Sequence, residues 1–370
     1  MTADAPATAE DREWMRRALA LAQRGWGRVA PNPLVGAVIV RDGALAGQGW
    51  HTEHGRPHAE VEALGDAGEA ARGATAYVTL EPCSHFGKTP PCTQALIAAG
   101  VARVVFAASD PNPKAAGGAE ILRSAGIEVL GGVEAEAARD QNFAFFHGLS
   151  AAGDERPFVA LKLALTLDAR VADRDGRSVW ITGEEAREEV HRLRAGFDAV
   201  AVGIGTALAD DPLLTVRGST EPRTPPTRIV FDRALRLPAT SKMAATASAS
   251  PVVIVAEAGA SAERRRTLEG IGVRVVETER GGGIDSALRA LRREGIRSVL
   301  VEGGAGIASA LLGAGVVDRL YIFYAPLLLG PAGLPAFGGI GSPPIADAKR
   351  WRRLDTRAFG ADTLITLARD

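Results

Sequence analysis

Four residues in the first quarter of the chain carry side chains that can bind a metal and move a proton. His58 and Glu60 stand two positions apart, and Cys83 and Cys92 are the only cysteines among 370 residues. One imidazole and two thiolates form a three-ligand zinc site whose fourth tetrahedral position stays open for water. Zinc lowers the pKa of such a water to about 7, which makes hydroxide available at neutral pH. We therefore predict one Zn²⁺ ion bound by His58, Cys83 and Cys92, with Glu60 as a catalytic proton carrier.

The order H-x-E, then Pro-Cys, then a second Cys is the signature of zinc-dependent deaminases. Two residues usually separate the cysteines of that signature, whereas eight separate Cys83 from Cys92. The inserted residues include His85, Lys88 and Thr89, which are suited to contact a ligand, in particular an anionic one. His85 also leaves a second interpretation open, in which it is a fourth protein ligand and the zinc stabilises a binding module.

The elements that must position these residues alternate between helix and strand. The predicted helices cover residues 10–24, 58–71 and 93–99, and the predicted strands cover residues 35–40, 44–50, 75–80 and 103–108. This alternation predicts an α/β sheet with helices on both faces. His58 then begins a helix, Cys83 follows a strand and Cys92 precedes a helix. The predicted metal ligands therefore lie at the ends of helices and strands.

A second α/β alternation begins after the small, polar segment Ser150–Arg156, which is the predicted domain boundary. We expect one domain over residues 1–150 and another over residues 156–370. Thr182, Gly183, Glu184 and Glu185 predict a capping box that opens a helix to about residue 195. Further strands are predicted at 158–165, 199–202, 228–232, 252–256, 273–277, 298–302, 319–324 and 362–368, further helices at 261–270, 284–294 and 306–314, and a loop at 239–250.

Two glycine-rich turns in the second half follow predicted strands, at Val202–Thr206 and Glu302–Gly306. A turn of this kind before a helix offers backbone N–H groups and a positive dipole end to phosphate. Neither turn completes G-x-G-x-x-[GA], because Leu208 and Ser309 occupy the last positions, and no suitable acidic residue follows. The Rossmann fingerprint is therefore absent, and each turn on its own is also explained as a tight connection.

Composition narrows the class of protein. The net charge is −1 and hydrophobic residues make up 46% of the chain, which is ordinary for a globular protein and unlike a nucleic-acid-binding chain. No apolar run is long enough for a membrane helix. The N-terminus has no basic segment followed by an apolar one, so it does not resemble a signal peptide. We expect a cytoplasmic protein with no membrane or nucleic-acid partner.

The strings PNPLVGAVIV, GRPHAEVEAL, TLEPCSHFGKTPPC and DPNPKAAGGA make the first half similar to the deaminase half of the bifunctional riboflavin-biosynthesis deaminase–reductase family. The resemblance implies a cytidine-deaminase-like α/β/α sandwich. It also implies a substrate, 2,5-diamino-6-ribosylamino-4(3H)-pyrimidinone 5′-phosphate, and contacts to it from Asn32, His51 and Lys88. Each of the three is also explained without a ligand, Asn32 as a turn residue and the others as loop residues.

The second half resembles the reductase half of the same family through LKLALTLDARVA, GRSVWIT, GTALADDPLLTVR and VEGGAGIASALL. The resemblance implies a dihydrofolate-reductase-like α/β domain and NADPH. The implied cofactor contacts are Ala164, Trp180, Thr206, Asp210, Gly304, Ala305, Gly306, Ile307, Ala308, Ser309 and Ala310, and the implied substrate contacts are Lys162, Ser178, Arg194, Leu214, Arg217 and Glu302. The residue chemistry agrees in part, since Arg194 and Arg217 can each form a fork on a phosphate group. A core position for Trp180, and a helix C-terminus that favours Arg194, remain alternatives.

Together the two halves predict a zinc-dependent hydrolytic deamination followed by an NADPH-dependent reduction of the ribosyl to a ribityl side chain. The alternative is a deaminase of tRNA adenosine or of cytidine fused to an unrelated nucleotide-binding domain. That alternative predicts a basic first half or a two-residue cysteine spacing, whereas acidic residues outnumber basic ones over residues 1–150. The expected partner is a small phosphorylated pyrimidine, and we expect a homo-oligomer of unspecified size.

Overall fold

The computed structural model describes residues 6–86 and 90–369, and the chain divides into two compact units, Met1–Leu149 and Ser150–Asp370. The segment Ser150–Arg156, which was expected to connect two domains, contains a short helix, Ala151–Glu155, that belongs to the second unit. Within the described ranges, no helix combines the length and the apolar character needed to cross a membrane.

The first unit is a five-stranded sheet with helices on both faces. Its helices are α1 (Ala9–Ala22), α2 (Ala59–Ala67), α3 (Cys92–Ala99), α4 (Gly118–Ser124), α5 (Ala135–Gln141) and α6 (Phe143–Gly148). Its strands are β1 (Gly36–Arg41), β2 (Ala44–Trp50), β3 (Thr75–Leu80), β4 (Arg103–Ala108) and β5 (Glu128–Gly131), in the order β2-β1-β3-β4-β5. Strands β3, β4 and β5 are parallel, and β1 is antiparallel to both of its neighbours.

Side chains of β1 alternate between two cores, because successive residues of a strand point to opposite faces. Val38 and Val40 belong to the cluster that includes α1, whereas Ile39 belongs to the cluster that includes α2. Helix α2 lies so close to β2 that a Cβ atom at Gly49 would collide with the backbone at Ala63. The glycine therefore permits the close approach of the helix that has His58 and Glu60 at its start.

The second unit is built on a nine-stranded sheet. Its helices are α7 (Ala151–Glu155), α8 (Glu184–Ala195), α9 (Ile204–Asp210), α10 (Lys242–Ala245), α11 (Ala262–Glu269), α12 (Gly283–Arg293) and α13 (Ala305–Ala314). Its strands are β6 (Phe158–Thr166), β7 (Arg170–Ala172), β8 (Ala199–Gly203), β9 (Thr227–Phe231), β10 (Val252–Glu257), β11 (Arg274–Thr278), β12 (Ser298–Glu302), β13 (Arg319–Ala325), β14 (Leu334–Pro335), β15 (Trp351–Phe359) and β16 (Asp362–Arg369). The sheet order is β11-β10-β9-β8-β12-β6-β13-β16-β15, and β7 pairs separately with β14.

The strands from β11 to β13 in that order are all parallel, and β16 and β15 add an antiparallel edge. The carboxyl ends of the parallel strands therefore share one edge of the sheet, where ligands usually bind in open α/β folds. Alternate residues of β8 pack into different cores, Ala199 and Ala201 on one face and Val200 and Val202 on the other.

Several expectations differ from the structure. The capping box at Thr182 does not form, because Gly183 occupies the N-cap position of α8 and donates its backbone N–H to Asp362 at 2.6 Å. The carboxylate of Asp362, on the distant strand β16, thus takes the place of a local capping side chain at the start of α8. Helix α10 lies within the expected loop 239–250. Strand β15 was not predicted, since its mostly exposed residues lack an apolar run.

Candidate active sites

The three predicted zinc ligands lie at the ends of three elements. His58 is the N-cap residue of α2, Cys83 follows the carboxyl end of β3, and Cys92 is the first residue of α3. Their ligand atoms all lie within 4.8 Å of one another. His58 Nδ1 is 3.2 Å from Cys92 Sγ and 3.6 Å from Cys83 Sγ. Two ligands around one tetrahedral zinc ion are separated by roughly 3.6 Å, so the donor set and its spacing fit this metal.

The environment of the two thiols favours the thiolate at Cys83 and the protonated thiol at Cys92, because the hydrogen bond to Cys83 and burial raise the pKa of Cys92. The Cys92 thiol and backbone N–H, together with His58, hold the pKa of Cys83 at about 4 against the opposing effect of burial. The thiolate is the form of cysteine that binds a metal. His85 is exposed and does not join the cluster of ligand atoms among the residues that the structure describes. Three protein ligands are thus brought together, and the interpretation that needs a fourth gains no support.

Glu60 lies beside this cluster in the first turn of α2 and is almost fully buried. Burial raises the pKa of its carboxyl group, and its side chain also contacts the Cys92 thiol. A raised pKa makes a carboxylate a stronger proton acceptor than an exposed one, which suits a proton carrier. The geometry therefore places a buried carboxyl group next to the proposed metal position.

Asn32 and His51 line the same cavity and contact each other, and the ring centre of His51 lies 5.6 Å from that of His58. His51 is 3% exposed, its Nδ1 lies 3.0 Å from the Pro57 carbonyl oxygen, and its Nε2 lies 3.2 Å from Asn32 Nδ2. Burial lowers the pKa of His51. A neutral ring that donates from Nδ1 can accept from Asn32 at Nε2, so the amide oxygen of Asn32 stays available to a ligand. Lys88 lies outside the described residues.

A cavity of about 300 Å³ contains these groups. Its lining includes Asn32, His51, His58, Glu60 and Cys83, and also residues that the sequence analysis did not single out: Pro33, Val35, His54, Gly55, Arg56, Leu80, Glu81, Asp110, Asn112, Ala115 and Phe145. The size is at the lower end of small-molecule sites. A cavity of this size can enclose one heterocyclic ring of a larger ligand.

Asp110 and Asn112 are the clearest examples of cavity-lining residues that were not predicted from the sequence. They follow β4, and a hydrogen bond of 2.9 Å from the Asn112 backbone N–H to Asp110 Oδ1 stabilises the turn. Glu81 accepts backbone N–H groups of Asp110 at 3.4 Å and Ala119 at 3.1 Å, which ties this loop to the end of β3. A signal was present, because polar residues after neighbouring parallel strands meet at one sheet edge.

In the second unit, three predicted substrate contacts form one charged cluster. Arg194 Nε and Nη2 donate to the two carboxylate oxygens of Glu302 at 2.5 and 3.0 Å, and Lys162 Nζ lies 3.9 Å from Glu302. Lys162 and Glu302 are directly paired across β6 and β12. Burial would raise the pKa of Glu302, but the charges of Arg194 and Lys162 outweigh it and lower that pKa. The fork of Arg194 is thus directed at Glu302.

Segment 213–217 brings two more predicted contacts beside this cluster. Arg194 Nη1 donates to the Thr215 carbonyl oxygen at 2.8 Å. Leu214 is buried, with a φ of 52°, and Arg217 is exposed. The guanidinium group of Arg217 carries the charge that this segment offers to a ligand.

The two glycine-rich turns lie side by side at the ends of β8 and β12. The Gly304 backbone N–H donates to Thr206 Oγ1 at 3.1 Å, and Gly304 is the N-cap residue of α13. A Cβ atom at Gly303 would overlap the Ile307 side chain. The first turn of α13 therefore presents backbone N–H groups that fit a dinucleotide phosphate. Of the other predicted contacts there, Ala305, Gly306, Ile307, Ala308, Ser309 and Ala310 lie on α13, and Ser309 Oγ accepts the Gly339 N–H.

The remaining predicted contacts lie near the same edge of the sheet. Ala164 lies on β6 and pairs with Phe323. Ser178 Oγ donates to Asp210 Oδ1 at 3.4 Å, which joins a predicted substrate contact to a predicted cofactor contact. The Trp180 side chain is 70% exposed, with the Arg187 guanidinium 4.5 Å from its ring centre. Trp180 is therefore not a core residue, and its ring is accessible to a ligand.

Comparisons with known proteins assign each unit to a family. Residues 8–108 match the cytidine and deoxycytidylate deaminase zinc-binding region, and residues 157–365 match the RibD C-terminal domain. These matches confirm an α/β fold with a cytidine-deaminase-like domain followed by a reductase domain. Because relatives match both units in one chain, they do not favour a deaminase fused to an unrelated domain.

Several relatives match nearly the whole length. The chain is 42% identical to the riboflavin biosynthesis protein RibD of Aquifex aeolicus over 97% of this chain and 98% of that protein, and 41% identical to RibD of Escherichia coli over 97% and 99%. Among solved structures, RibD of Acinetobacter baumannii superposes with a TM-score of 0.81 at 41% identity, covering 97% and 98% of the two chains. A Thermotoga maritima protein named as a diaminohydroxyphosphoribosylaminopyrimidine deaminase and 5-amino-6-(5-phosphoribosylamino)uracil reductase gives 0.81 at 36% identity, covering 98% and 99%. The chain belongs to the RibD family of riboflavin biosynthesis proteins, bifunctional enzymes with a deaminase and a reductase in one polypeptide.

Proposed function

We propose that the first unit removes the 2-amino group of 2,5-diamino-6-ribosylamino-4(3H)-pyrimidinone 5′-phosphate by hydrolysis. The observation that carries this proposal is the three-ligand cluster of His58, Cys83 and Cys92 with buried Glu60 beside it. These three residues would hold a zinc ion, which when bound makes a water molecule nucleophilic at neutral pH. The activity named for the Thermotoga maritima protein supports this substrate.

Glu60 carries the protons of this reaction. Its carboxylate accepts a proton from the attacking water and delivers it to the ring nitrogen next to C2. It then moves the remaining proton of the added hydroxyl group to the amino group, which leaves as ammonia as the C2 oxo group forms. Asn32 and His51, which line the same cavity, orient the pyrimidine ring through hydrogen bonds. Lys88 is assigned to the substrate by family resemblance.

The second unit is proposed to reduce the ribosyl group of the deaminated compound, giving 5-amino-6-ribitylamino-uracil 5′-phosphate. NADPH, when bound, would supply a hydride for C1′ of the opened ribosylamine, whose own amine forms the imine, and a proton from solvent would complete the amine at the imine nitrogen. The cofactor is assigned to Ala164, Trp180, Thr206, Asp210 and Gly304 to Ala310, and the substrate to Lys162, Ser178, Arg194, Leu214, Arg217 and Glu302. These residues bind and orient the two reactants, and no protein nucleophile is needed.

The accessible edge of the second unit supports the cofactor assignment. Trp180 offers a ring face, and the start of α13 offers backbone N–H groups with the positive end of a helix dipole. The choice of NADPH rather than NADH rests on the resemblance to the family.

Mass analysis of the products tests the two activities in order. The zinc-loaded protein is incubated with the diaminopyrimidinone phosphate without a nicotinamide cofactor, and NADPH is added afterwards. We expect conversion of one amino group to an oxo group first, and a gain of two hydrogen atoms only after NADPH is added. A product reduced before deamination, or no product in the first step, would refute the proposed sequence.

A further inference from the structure

One face of helix α8 lies against segment 215–219 and contacts it at several points. Glu188, His191 and Arg194 are spaced three residues apart, which places them on the same side of a helix. Glu188 Oε1 accepts the Ser219 hydroxyl at 3.3 Å, and Arg194 donates to the Thr215 carbonyl at 2.8 Å.

His191 makes the central contact of this series. Its Nδ1 accepts the backbone N–H of Arg217 at 3.2 Å and lies 3.5 Å from Arg194 Nη1. An imidazole nitrogen accepts a hydrogen bond only when it carries no proton. Burial lowers the pKa of His191 to about 4. The positive charges of Arg194 and Arg217 also lower this pKa, whereas the negative charge of Glu302 opposes the shift. The ring is therefore neutral at physiological pH and can serve as this acceptor.

The hydrogen bond between His191 and Arg217 matters for the proposed reductase site because Arg217 provides the exposed positive charge of that site. Arg194 is already engaged by Glu302 and Thr215, whereas no side-chain partner of Arg217 occurs among the residues described in the second unit. Holding the backbone of Arg217 in place reduces the conformational freedom that this segment loses when the guanidinium group binds a phosphate.

We propose that His191 is a positioning residue of the reductase site, which holds the backbone of Arg217 so that its guanidinium group receives the substrate phosphate. This inference rests on the proposed function, in which Arg217 contacts that phosphate. His191 itself touches neither the reacting carbon nor the phosphate in this role.

Two substitutions at His191 separate positioning from simple support of the fold. His191→Leu removes the acceptor, whereas His191→Asn keeps an amide oxygen near the position of Nδ1. The zinc-loaded full-length protein is titrated by calorimetry, without NADPH, with 5-amino-6-ribitylamino-uracil carrying or lacking its 5′-phosphate. We expect His191→Leu to weaken binding of the phosphorylated compound about five- to tenfold, the usual effect of one lost hydrogen bond. Binding of the unphosphorylated compound should change less than about twofold, and His191→Asn should stay close to the wild type.

A double-mutant cycle with Arg217→Ala completes the test. If His191 acts through Arg217, His191→Leu should have almost no further effect in the Arg217→Ala background. Independent effects that multiply, or equal losses for both compounds, would overturn the positioning role and leave only a structural one. If Arg217→Ala alone leaves binding of the phosphorylated compound unchanged, the proposed phosphate contact fails, and this inference fails with it. Steady-state kinetics should agree, with a raised KM and an unchanged kcat for His191→Leu.

Discussion

Replacing Glu60 by Gln separates proton transfer from metal binding. The glutamine keeps the size of the side chain and its hydrogen bonding toward Cys92, but it cannot accept a proton from water. His58, Cys83 and Cys92 already provide three ligands of the type that zinc prefers. We therefore expect one zinc ion per chain in the variant and a deamination rate lower by about 10²–10⁴-fold, the usual contribution of general acid–base catalysis. That loss corresponds to about 3–5 kcal/mol of activation free energy.

The upper part of this range follows from the structure. Glu60 is 4% exposed, so bulk water has little access to replace it as a proton carrier. Two proton transfers in the proposed path use the same carboxyl group. Glu62→Gln is the matched control, because Glu62 lies on the same helix but is exposed, and we expect it to retain full deaminase activity.

The assay combines three measurements on one preparation. Ammonia release gives the deaminase rate, metal analysis gives the zinc content, and NADPH oxidation with the already deaminated substrate gives the reductase rate. All proposed reductase contacts lie in the second unit, so the reductase rate should stay within about twofold of the wild type.

Three results would refute the reasoning for Glu60. Loss of zinc would show that its carboxyl group supports the metal site. Retention of more than about a tenth of the deaminase rate would assign proton transfer to another group, such as Asp110. A simultaneous loss of reduction of the deaminated compound would show that the two activities share one site.

Three further predictions follow from individual contacts. Cys83→Ser should remove both zinc and deamination while leaving the reductase active, and an equimolar metal content in this variant would contradict the ligand assignment. Arg217→Ala should lower kcat/KM of the reductase by about 2–4 kcal/mol through KM, and an unchanged KM would contradict the phosphate contact. Although burial opposes it, hydrogen bonds from Arg103 and Tyr77 among others lower the pKa of Asp11. The stabilisation is therefore present above the unfolded-state pKa of about 4 and is lost as pH falls below it. Asp11→Asn should lower the free energy of unfolding by about 2–3 kcal/mol at pH 7, and this free energy should then fall less steeply between pH 5 and 3. Chemical unfolding at several pH values in that range measures the slope, and a slope equal to that of the wild type would contradict the prediction.

The zinc cluster was predictable because its residues depend on local signals. The predicted bounds of β3 agree with the structure and the predicted start of α2 is within one residue, whereas α2 ends at Ala67, four residues before the predicted end. His58, Cys83 and Cys92 stand at such ends, and their chemical types fit one metal. Asp110 was missed although it follows a predicted strand, since its position beside the cluster depends on β4 lying next to β3. Sheet order is a long-range property that the spacing of residues along the chain does not report.

The reductase cluster depends even more on distant contacts. Arg194 and Glu302 are 108 positions apart, and only the pairing of β12 with β6 brings Glu302 beside Lys162. Family resemblance named all three residues, but it did not indicate that Arg194 is engaged by Glu302. The hydrogen bond of His191 to Arg217 had no local signal either, because segment 213–217 contains no regular element. The roles assigned to individual residues at both sites, and homo-oligomerisation, remain predictions.

The balance of charge in the reductase cluster explains why a phosphorylated substrate suits it. A buried carboxylate needs a partner, because its desolvation is costly. Arg194 provides that partner for Glu302 with two hydrogen bonds, and both side chains are nearly buried. Lys162 lies beside this pair and Arg217 lies at the exposed side, so the cluster carries a net positive charge without a ligand. A phosphate dianion offsets this charge with the strong geometry of charge-assisted hydrogen bonds. Removing the phosphate from the substrate should therefore weaken binding more than removing any single neutral contact.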